Sequence, residues 1–326
     1  MRPAVVAVDG GNSKTDVALV DADGRALSRV RGPGSSPHTL GVERAAALLD
    51  GLVAKAAAQA GLPSARAIAA VASVYLAGAD LPSEIRMLHE AIGAHGWAQE
   101  LVVDNDTLAL LRAGTDEPNA VAVVCGAGIN CLGVRADGRQ TRFPSLGHIS
   151  GDWGGGLQLG DEALFAAARA ADGRGAPTVL QRRIVEYFGA GSLDEVIQDV
   201  HFGRLPRSRL LELAPLVLRA ASEERDAPAT AIVMRQAEEV VLFAVTALGR
   251  LQLLEEPAVV VLGGGVLTSR DPLLHEQIRT GLAQRAPLAT VTVTESAPVL
   301  GAALLGLDRL GTTHEVEQVL RRSLRE

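Results

Sequence analysis

One supersecondary pattern occurs twice in this chain, and it constrains the fold more than any single motif does. In the first copy the β-branched run Val5-Val6-Ala7-Val8 ends in Asp9, and Gly10-Gly11-Asn12-Ser13-Lys14-Thr15 turns the chain. A second apolar run follows and closes at Asp21-Ala22-Asp23-Gly24, a hairpin signal. The second copy reads Val121-Ala122-Val123-Val124-Cys125, Gly126-Ala127-Gly128, Ile129 to Val134, and Ala136-Asp137-Gly138-Arg139. Overlaid, Asp9 falls over Cys125, and Ala22–Arg25 falls near Ala136–Arg139. Repetition of a whole strand–turn–strand unit predicts two related halves built on the same plan.

The composition of each turn suggests a ligand. Paired glycines let a backbone approach a bound group closely, and successive N–H groups suit phosphate oxygens. Gly10, Gly11, Asn12, Ser13, Lys14 and Thr15 are therefore candidate phosphate contacts in the first turn, and Gly126, Ala127 and Gly128 in the second. Two such hairpins, one per half, suit a polyphosphate held from both sides. Asp9 stands at the mouth of the first turn, where a carboxylate can hold the water shell of a Mg²⁺ ion. A third glycine cluster, Gly263-Gly264-Gly265, follows the apolar run Ala258–Leu262 and precedes a helical pattern. It fits adenine and ribose resting on bare backbone, with Gly264, Gly265 and Ser269 as nucleotide contacts. It does not match the dinucleotide fingerprint Gly-x-Gly-x-x-Gly.

Composition narrows the function classes. A chain of 326 residues with 48% hydrophobic and 21% charged residues is long enough for two cored domains and is not disordered. The net charge of −7 argues against a nucleic-acid partner. The longest apolar stretches, such as Ile68–Ala77, fall short of the ~20 residues that span a bilayer, so no membrane partner is expected. No signal-peptide pattern is read at the N-terminus, and the two cysteines, Cys125 and Cys131, fit neither a redox pair nor a zinc set. The expectation is a cytoplasmic protein with reduced, buried thiols.

Read in order, residues 4–30 predict a three-stranded meander broken by a loop at Gly32–His38. A helix follows from Val42 to Ala60, then a strand over Ile68–Leu76 and a short helix around Leu88 and Ile92. A strand at Leu101–Val103 runs into Asp104-Asn105-Asp106 and a helix over Thr107–Ala113. The polar stretch Gly114–Asn119 is the predicted boundary, giving an N-terminal domain over 1–117 and a C-terminal one over 118–326. The last helix is expected to pack back on the first domain. In the second half a glycine-rich irregular stretch, 143–160, is read as functional. A long helix is predicted over Ala227–Leu254, strands at Ala258–Leu262 and Ala289–Val293, and helices from Pro272 and Pro298.

Five blocks in order, Asp9-Gly10-Gly11-Asn12-Ser13-Lys14-Thr15, Asn105-Asp106, Gly126-Ala127-Gly128-Ile129-Asn130, Gly147-His148-Ile149-Ser150-Gly151-Asp152 and Leu262-Gly263-Gly264-Gly265-Val266, carry a resemblance. The chain resembles the duplicated sugar-kinase/heat-shock-protein-70/actin superfamily, and within it the BadF/BadG/BcrA/BcrD-type ATPase family and its N-acetylglucosamine kinase branch. The resemblance implies an α/β fold of two ribonuclease-H-like, actin-like ATPase domains with a cleft between them. It implies ATP and Mg²⁺ as cofactors, a small-molecule sugar as substrate, and a homodimer.

Residue by residue, the resemblance makes Asp106 the general base. Asp104 is the neighbouring acid, and both types of position also serve as helix caps. Asn130, Gly147 and Asp152 become sugar contacts, with Asp152 taking two hydroxyls. Ser36 stands where the kinase branch usually offers an asparagine to the sugar, and Ala127 replaces a hydroxyl residue common in the family. The function expected is ATP-dependent phosphorylation of the 6-hydroxyl of an amino sugar, N-acetylglucosamine or glucosamine. The alternatives are a nucleotide- or sugar-binding sensor without turnover and an activator ATPase of a radical dehydratase.

Overall fold

A computed structural model describes residues 2–324; Met1, Arg325 and Glu326, at the outer ends of the two expected domains, lie outside the described residues. The chain forms two compact units, one reaching to Asp116 and resuming at Thr294, the other spanning Glu117–Val293.

The first unit opens with strands β1 (Val5–Gly10), β2 (Lys14–Val20) and β3 (Ala26–Pro33), then a helical turn α1 (Pro37–Leu40) and helix α2 (Val42–Gln59). It continues with β4 (Ala69–Leu76), α3 (Pro82–Gly93), β5 (Ala98–Asn105) and α4 (Asp106–Gly114). The sheet order is β3-β2-β1-β4-β5, with β1–β2 and β2–β3 antiparallel and β1–β4 and β4–β5 parallel.

The sequence of β1 explains why both faces of this sheet are covered. Every residue of the strand is buried, and its side chains alternate between two cores. Val6 and Val8 pack with Leu49, Val53 and Ala56 of α2, while Val5 and Ala7 belong to a second cluster that includes Ala109 of α4.

The second unit contains β6 (Ala120–Cys125), β7 (Ile129–Val134), β8 (Gln140–Arg142), α5 (Gly156–Ala171), α6 (Leu180–Phe188), α7 (Leu193–His201), α8 (Ala214–Ser222) and α9 (Ala227–Arg250). It closes with β9 (Ala258–Gly263), α10 (Gly265–Thr268), α11 (Pro272–Arg285) and β10 (Ala289–Val293). Its sheet order, β10-β9-β6-β7-β8, repeats the first sheet: third, second, first, fourth, fifth strand when read from β8. The duplication seen as a repeated turn is thus a duplication of the whole sheet.

From Thr294 the chain rejoins the first unit with α12 (Pro298–Arg309) and α13 (His314–Ser323). Val299, Leu300, Ala303, Leu304 and Leu307 of α12 complete the core begun by Val5 and Ala7. The Ser323 hydroxyl accepts from the Ala26 N–H at 2.9 Å, and Arg112 of α4 pairs with Glu317 at 2.7 Å. The second domain expected over 118–326 had only its last helix packing back on the first; here α12 and α13 both belong to the first unit.

Three details also differ. Strand β3 runs through Gly32 and Pro33, where a loop was expected; they pair with Thr15 and Lys14 at the sheet edge, where proline's missing donor is tolerated. Helix α9 stops at Arg250 rather than Leu254, because Gln252 takes a positive φ of 58° and Leu253 N–H turns back to the Leu248 carbonyl at 2.8 Å. The repeat overlays one residue differently: the last ladder pairs are Gly10–Thr15 and Cys125–Ile129, so Cys125 matches Gly10 and Asp9 matches Val124.

Candidate functional site

Within the first unit, the chemistry collects at the carboxyl ends of β1 and β5. The β1–β2 turn is closed by the Gly11 N–H on the Lys14 carbonyl at 2.9 Å and leaves Asn12, Ser13 and Lys14 exposed. Thr15, expected among the phosphate contacts, is fully buried, and its hydroxyl donates to Ser35 Oγ at 2.9 Å. Its hydroxyl is part of the packing beneath the turn, because the β2 register sends that side chain inward.

Asp9 is buried, at 7% exposure, and no hydrogen bond or ion pair among the described residues satisfies its carboxylate. Its ladder partner Asp16 is different: Arg31 grips both Asp16 oxygens, at 3.0 and 2.9 Å. Burial first, then the nearby Asp106 and Asp16, push the Asp9 carboxyl up to about 8, against the pull of Lys14 and Arg29. A carboxylate in that position has a strong electrostatic reason to take a cation.

Asp106 stands at the first turn of α4. Asn105, not either aspartate, is the helix cap: its Oδ1 accepts from the Thr107 N–H at 3.0 Å. Asn105 therefore carries the cap, and the half-buried Asp106 carboxyl only shares the Thr107 N–H. Burial and then Asp80 push it up to about 7, partly offset by hydrogen bonds from the Thr107 and Asp106 N–H groups. Asp104 lies in β5, where its Oδ1 accepts from the Asn105 N–H at 2.7 Å. Ser36 precedes α1 and is 2% exposed, with a buried hydroxyl that has no hydrogen-bond partner among the described residues. The adjoining Ser35 N–H donates to the Gly11 carbonyl at 3.1 Å, tying this segment to the glycine turn.

In the second unit three glycine segments meet through their backbones. The β6–β7 turn is closed by the Gly126 N–H on the Gly128 carbonyl at 3.0 Å. The start of α5 docks on it: the Gly156 N–H donates to the Gly126 carbonyl at 2.8 Å and Leu157 N–H to the Ala127 carbonyl at 3.0 Å. A Cβ on Gly155 would lie 2.4 Å from the Gly128 oxygen, and one on Gly264 2.4 Å from the Cys125 carbonyl; both residues also have positive φ, 88° and 83°. Open space remains over Gly126, Gly128 and Gly265. Ser269 is committed locally, its hydroxyl donating to the Val266 carbonyl at 2.6 Å.

Sequence reasoning missed the residue that holds this junction. Gln236 of α9 is fully buried, and its Oε1 accepts from the Gly155 N–H at 2.8 Å. The available signal was a glutamine inside the apolar stripe Ile232, Val233, Ala237, Val240 and Val241.

The expected sugar loop is a 3₁₀ turn over Gly147–Ser150, closed by the Asp152 N–H on the Gly147 carbonyl at 3.0 Å. Asp152 is buried and accepts from the Ser150 hydroxyl. Asn130 joins this loop from β7: its Oδ1 accepts from Ser145 Oγ at 2.6 Å and from the Cys131 N–H at 2.7 Å. Trp153 is buried, with the Arg235 guanidinium 4.1 Å from its ring centre. The structure thus gathers Asp9, the first turn, Ser36 and Asp106 in one unit, and the second turn, Gly264, Asn130, Gly147 and Asp152 in the other.

The model of the BadF/BadG/BcrA/BcrD ATPase family matches residues 6–306. Over 302 residues the chain is 25% identical to an N-acetylmuramic acid/N-acetylglucosamine kinase of Clostridium acetobutylicum, covering 92% of this chain and 97% of that one. It is 24% identical over 315 residues to an N-acetyl-D-glucosamine kinase of Dictyostelium discoideum, covering 93% and 97%. A solved structure provisionally described as an N-acetylglucosamine kinase from Chromobacterium violaceum matches with a TM-score of 0.74 at 25% identity, over 94% of this chain and 99% of that one. The two like-ordered five-stranded sheets and this match give the expected α/β, actin-like fold.

Proposed function

The chain belongs to the BadF/BadG/BcrA/BcrD ATPase family, and we propose that it is an ATP-dependent kinase that phosphorylates the 6-hydroxyl of an amino sugar, N-acetylglucosamine or glucosamine. The observation that carries this reading is Asp106: a half-buried carboxyl at a helix start, relieved of capping by Asn105 and raised to about 7. A group so poised near neutrality suits proton acceptance from a sugar hydroxyl.

Phosphoryl transfer is mostly positioning and charge neutralisation. The exposed residues Asn12, Ser13 and Lys14 of the glycine turn support phosphate contact in the first unit, as do Gly126, Ala127 and Gly128 in the second. Gly264 and Gly265 are read as the adenosine contact, with Ser269 at its margin. Asn130, Gly147, Asp152 and Ser36 are read as sugar contacts; the unpaired buried hydroxyl of Ser36 supports its part.

Asp9 fits a magnesium site: it is a hard oxygen donor, buried, without hydrogen bond or ion pair among the described residues, and in the field of two further carboxylates. When bound there through water, Mg²⁺ would neutralise charge on the phosphates. The chain's own part is to supply Asp9 as an anchor and Asp106 as a proton acceptor.

The reading includes a cytoplasmic homodimer, which light scattering would check. Both thiols are buried and free, which suits a reducing compartment, and no described helix is long and apolar enough to cross a membrane. Burial pushes the Cys125 and Cys131 thiols up, a poor setting for cluster ligands and so unfavourable to the dehydratase-activator alternative.

The test is ADP release coupled to product mass, with ATP, Mg²⁺ and a panel of glucose, glucosamine, N-acetylglucosamine, mannose and N-acetylmuramic acid. Turnover with one amino sugar and a phosphate-sized mass gain would support the reading. ATP and sugar binding without product would replace it with a sensor.

A further inference from the structure

The segment joining β4 to α3 carries Asp80, whose charge helps raise Asp106 but to whose hydrogen bonds phosphoryl transfer assigns no part. Asp80 Oδ1 accepts from Asn105 Nδ2 at 2.7 Å, while Asn105 Oδ1 accepts from the Thr107 N–H at 3.0 Å. The Asn105 amide is thus fixed at both ends. A carboxylate only accepts, so Asp80 forces the amide nitrogen towards itself and the amide oxygen towards α4. A flipped amide would set two donors against each other at Thr107 and leave the start of α4 uncapped.

Asp80 is itself held. Glu84 Oε2 accepts from the N–H groups of Asp80 at 3.0 Å and Leu81 at 2.8 Å. Glu84 Oε1 lies 2.7 Å from His38 Nε2, which reaches across from α1. One network therefore links the segment that carries Ser36 to the residue preceding Asp106.

We infer that Asp80 is a positioning residue: its hydrogen bond to Asn105 fixes the amide that caps α4 and thereby orients the Asp106 carboxyl for proton acceptance. The inference rests on the reading of Asp106 as the base. Asp80 acts through Asn105 and needs no contact with substrate.

The test compares wild type, Asp80→Ala and Asp80→Asn in the full chain. Asp80→Ala should lower kcat tenfold or more while leaving the KM for ATP within twofold. Asp80→Asn keeps an oxygen that can accept from Asn105 but removes the charge that helps raise Asp106, so kcat is compared well above pH 7, where it should return to within threefold of wild type. Asp80→Ala within twofold of wild type, or Asp80→Asn as slow as Asp80→Ala, would overturn the inference.

Amide hydrogen exchange of the peptide covering residues 105–110 separates this outcome from the kinase reading. Exchange at Thr107 should quicken about tenfold in Asp80→Ala and stay near wild type in Asp80→Asn, whatever the turnover. Unchanged exchange in Asp80→Ala overturns the positioning role even in an active kinase. A wild-type chain without sugar-dependent turnover refutes the kinase reading instead. Should Asp80→Ala fail to fold, Asp80→Ser, with its shorter acceptor, gives the same comparison.

Discussion

The side-chain oxygen of Gln236 accepts the Gly155 N–H at 2.8 Å, and Gly155 in turn lies against the Gly128 carbonyl. A helix of the second unit thereby fixes the place where the α5 start meets the glycine turn. Gln236→Leu would strand a buried N–H at a cost of about 1–3 kcal/mol. We expect a lower urea midpoint and a severalfold higher KM for ATP. An unchanged KM would mean that the junction supports folding alone.

Asp106→Asn keeps shape and removes the proton acceptor. Loss of general base catalysis costs about 10²–10⁴ in rate. Transfer should fall by that order, with the Kd for ATP unchanged in calorimetry. Loss of both together would make Asp106 structural.

The pH profile follows from the same residue. A base works deprotonated, and the Asp106 carboxyl is pushed up to about 7 by burial and Asp80. kcat/KM should rise with pH through that value and level off above it. A flat profile from mildly acidic to mildly alkaline pH would remove Asp106 from the base role.

Asp9 predicts a stability effect of the opposite kind to a salt-bridged acid. Its carboxyl is raised to about 8 when folded, so the folded chain holds its proton over a range where the unfolded chain has lost it. The stabilisation is complete below the ordinary aspartate range and is lost as pH rises towards 8. At pH 8.5 without divalent cation, Asp9→Asn should melt higher than wild type. A relief of ~2 kcal/mol corresponds to roughly 4–8 °C for a unit of this size. Added Mg²⁺ should raise the melting temperature of wild type and not of the variant. Equal melting of the two chains with and without Mg²⁺ would contradict the assignment.

Ser36 offers a separation of folding from binding. Its buried hydroxyl has no partner among the described residues, so Ser36→Ala should leave stability unchanged or raise it by about 1 kcal/mol. If the hydroxyl meets the sugar, the sugar KM rises severalfold in the same variant. A stabilised protein with an unaltered sugar KM would take Ser36 out of the site.

What was legible in the sequence was local. The apolar run of β1, the glycine turns after β1 and β6, and a helix start close after Asp104-Asn105-Asp106 follow from strand composition, turn chemistry and helix-start signals, each set within a few residues, although the cap is Asn105 and not an aspartate. Their recurrence in order also gave the duplicated architecture. The division into units was read only in part, because the apolar face of α12 is compatible with either sheet; its packing on Val5 and Ala7 decides.

The tertiary structure alone decided which distant segments touch. Gly155 meets a glutamine 81 positions away, Gly264 meets Cys125, and Thr15 turns beneath its own turn to Ser35. Nothing in a local pattern names such partners. They are selected by close packing of whole elements, which requires bare backbone at two of these contacts and a hydrogen-bond partner for most of the polar groups it buries.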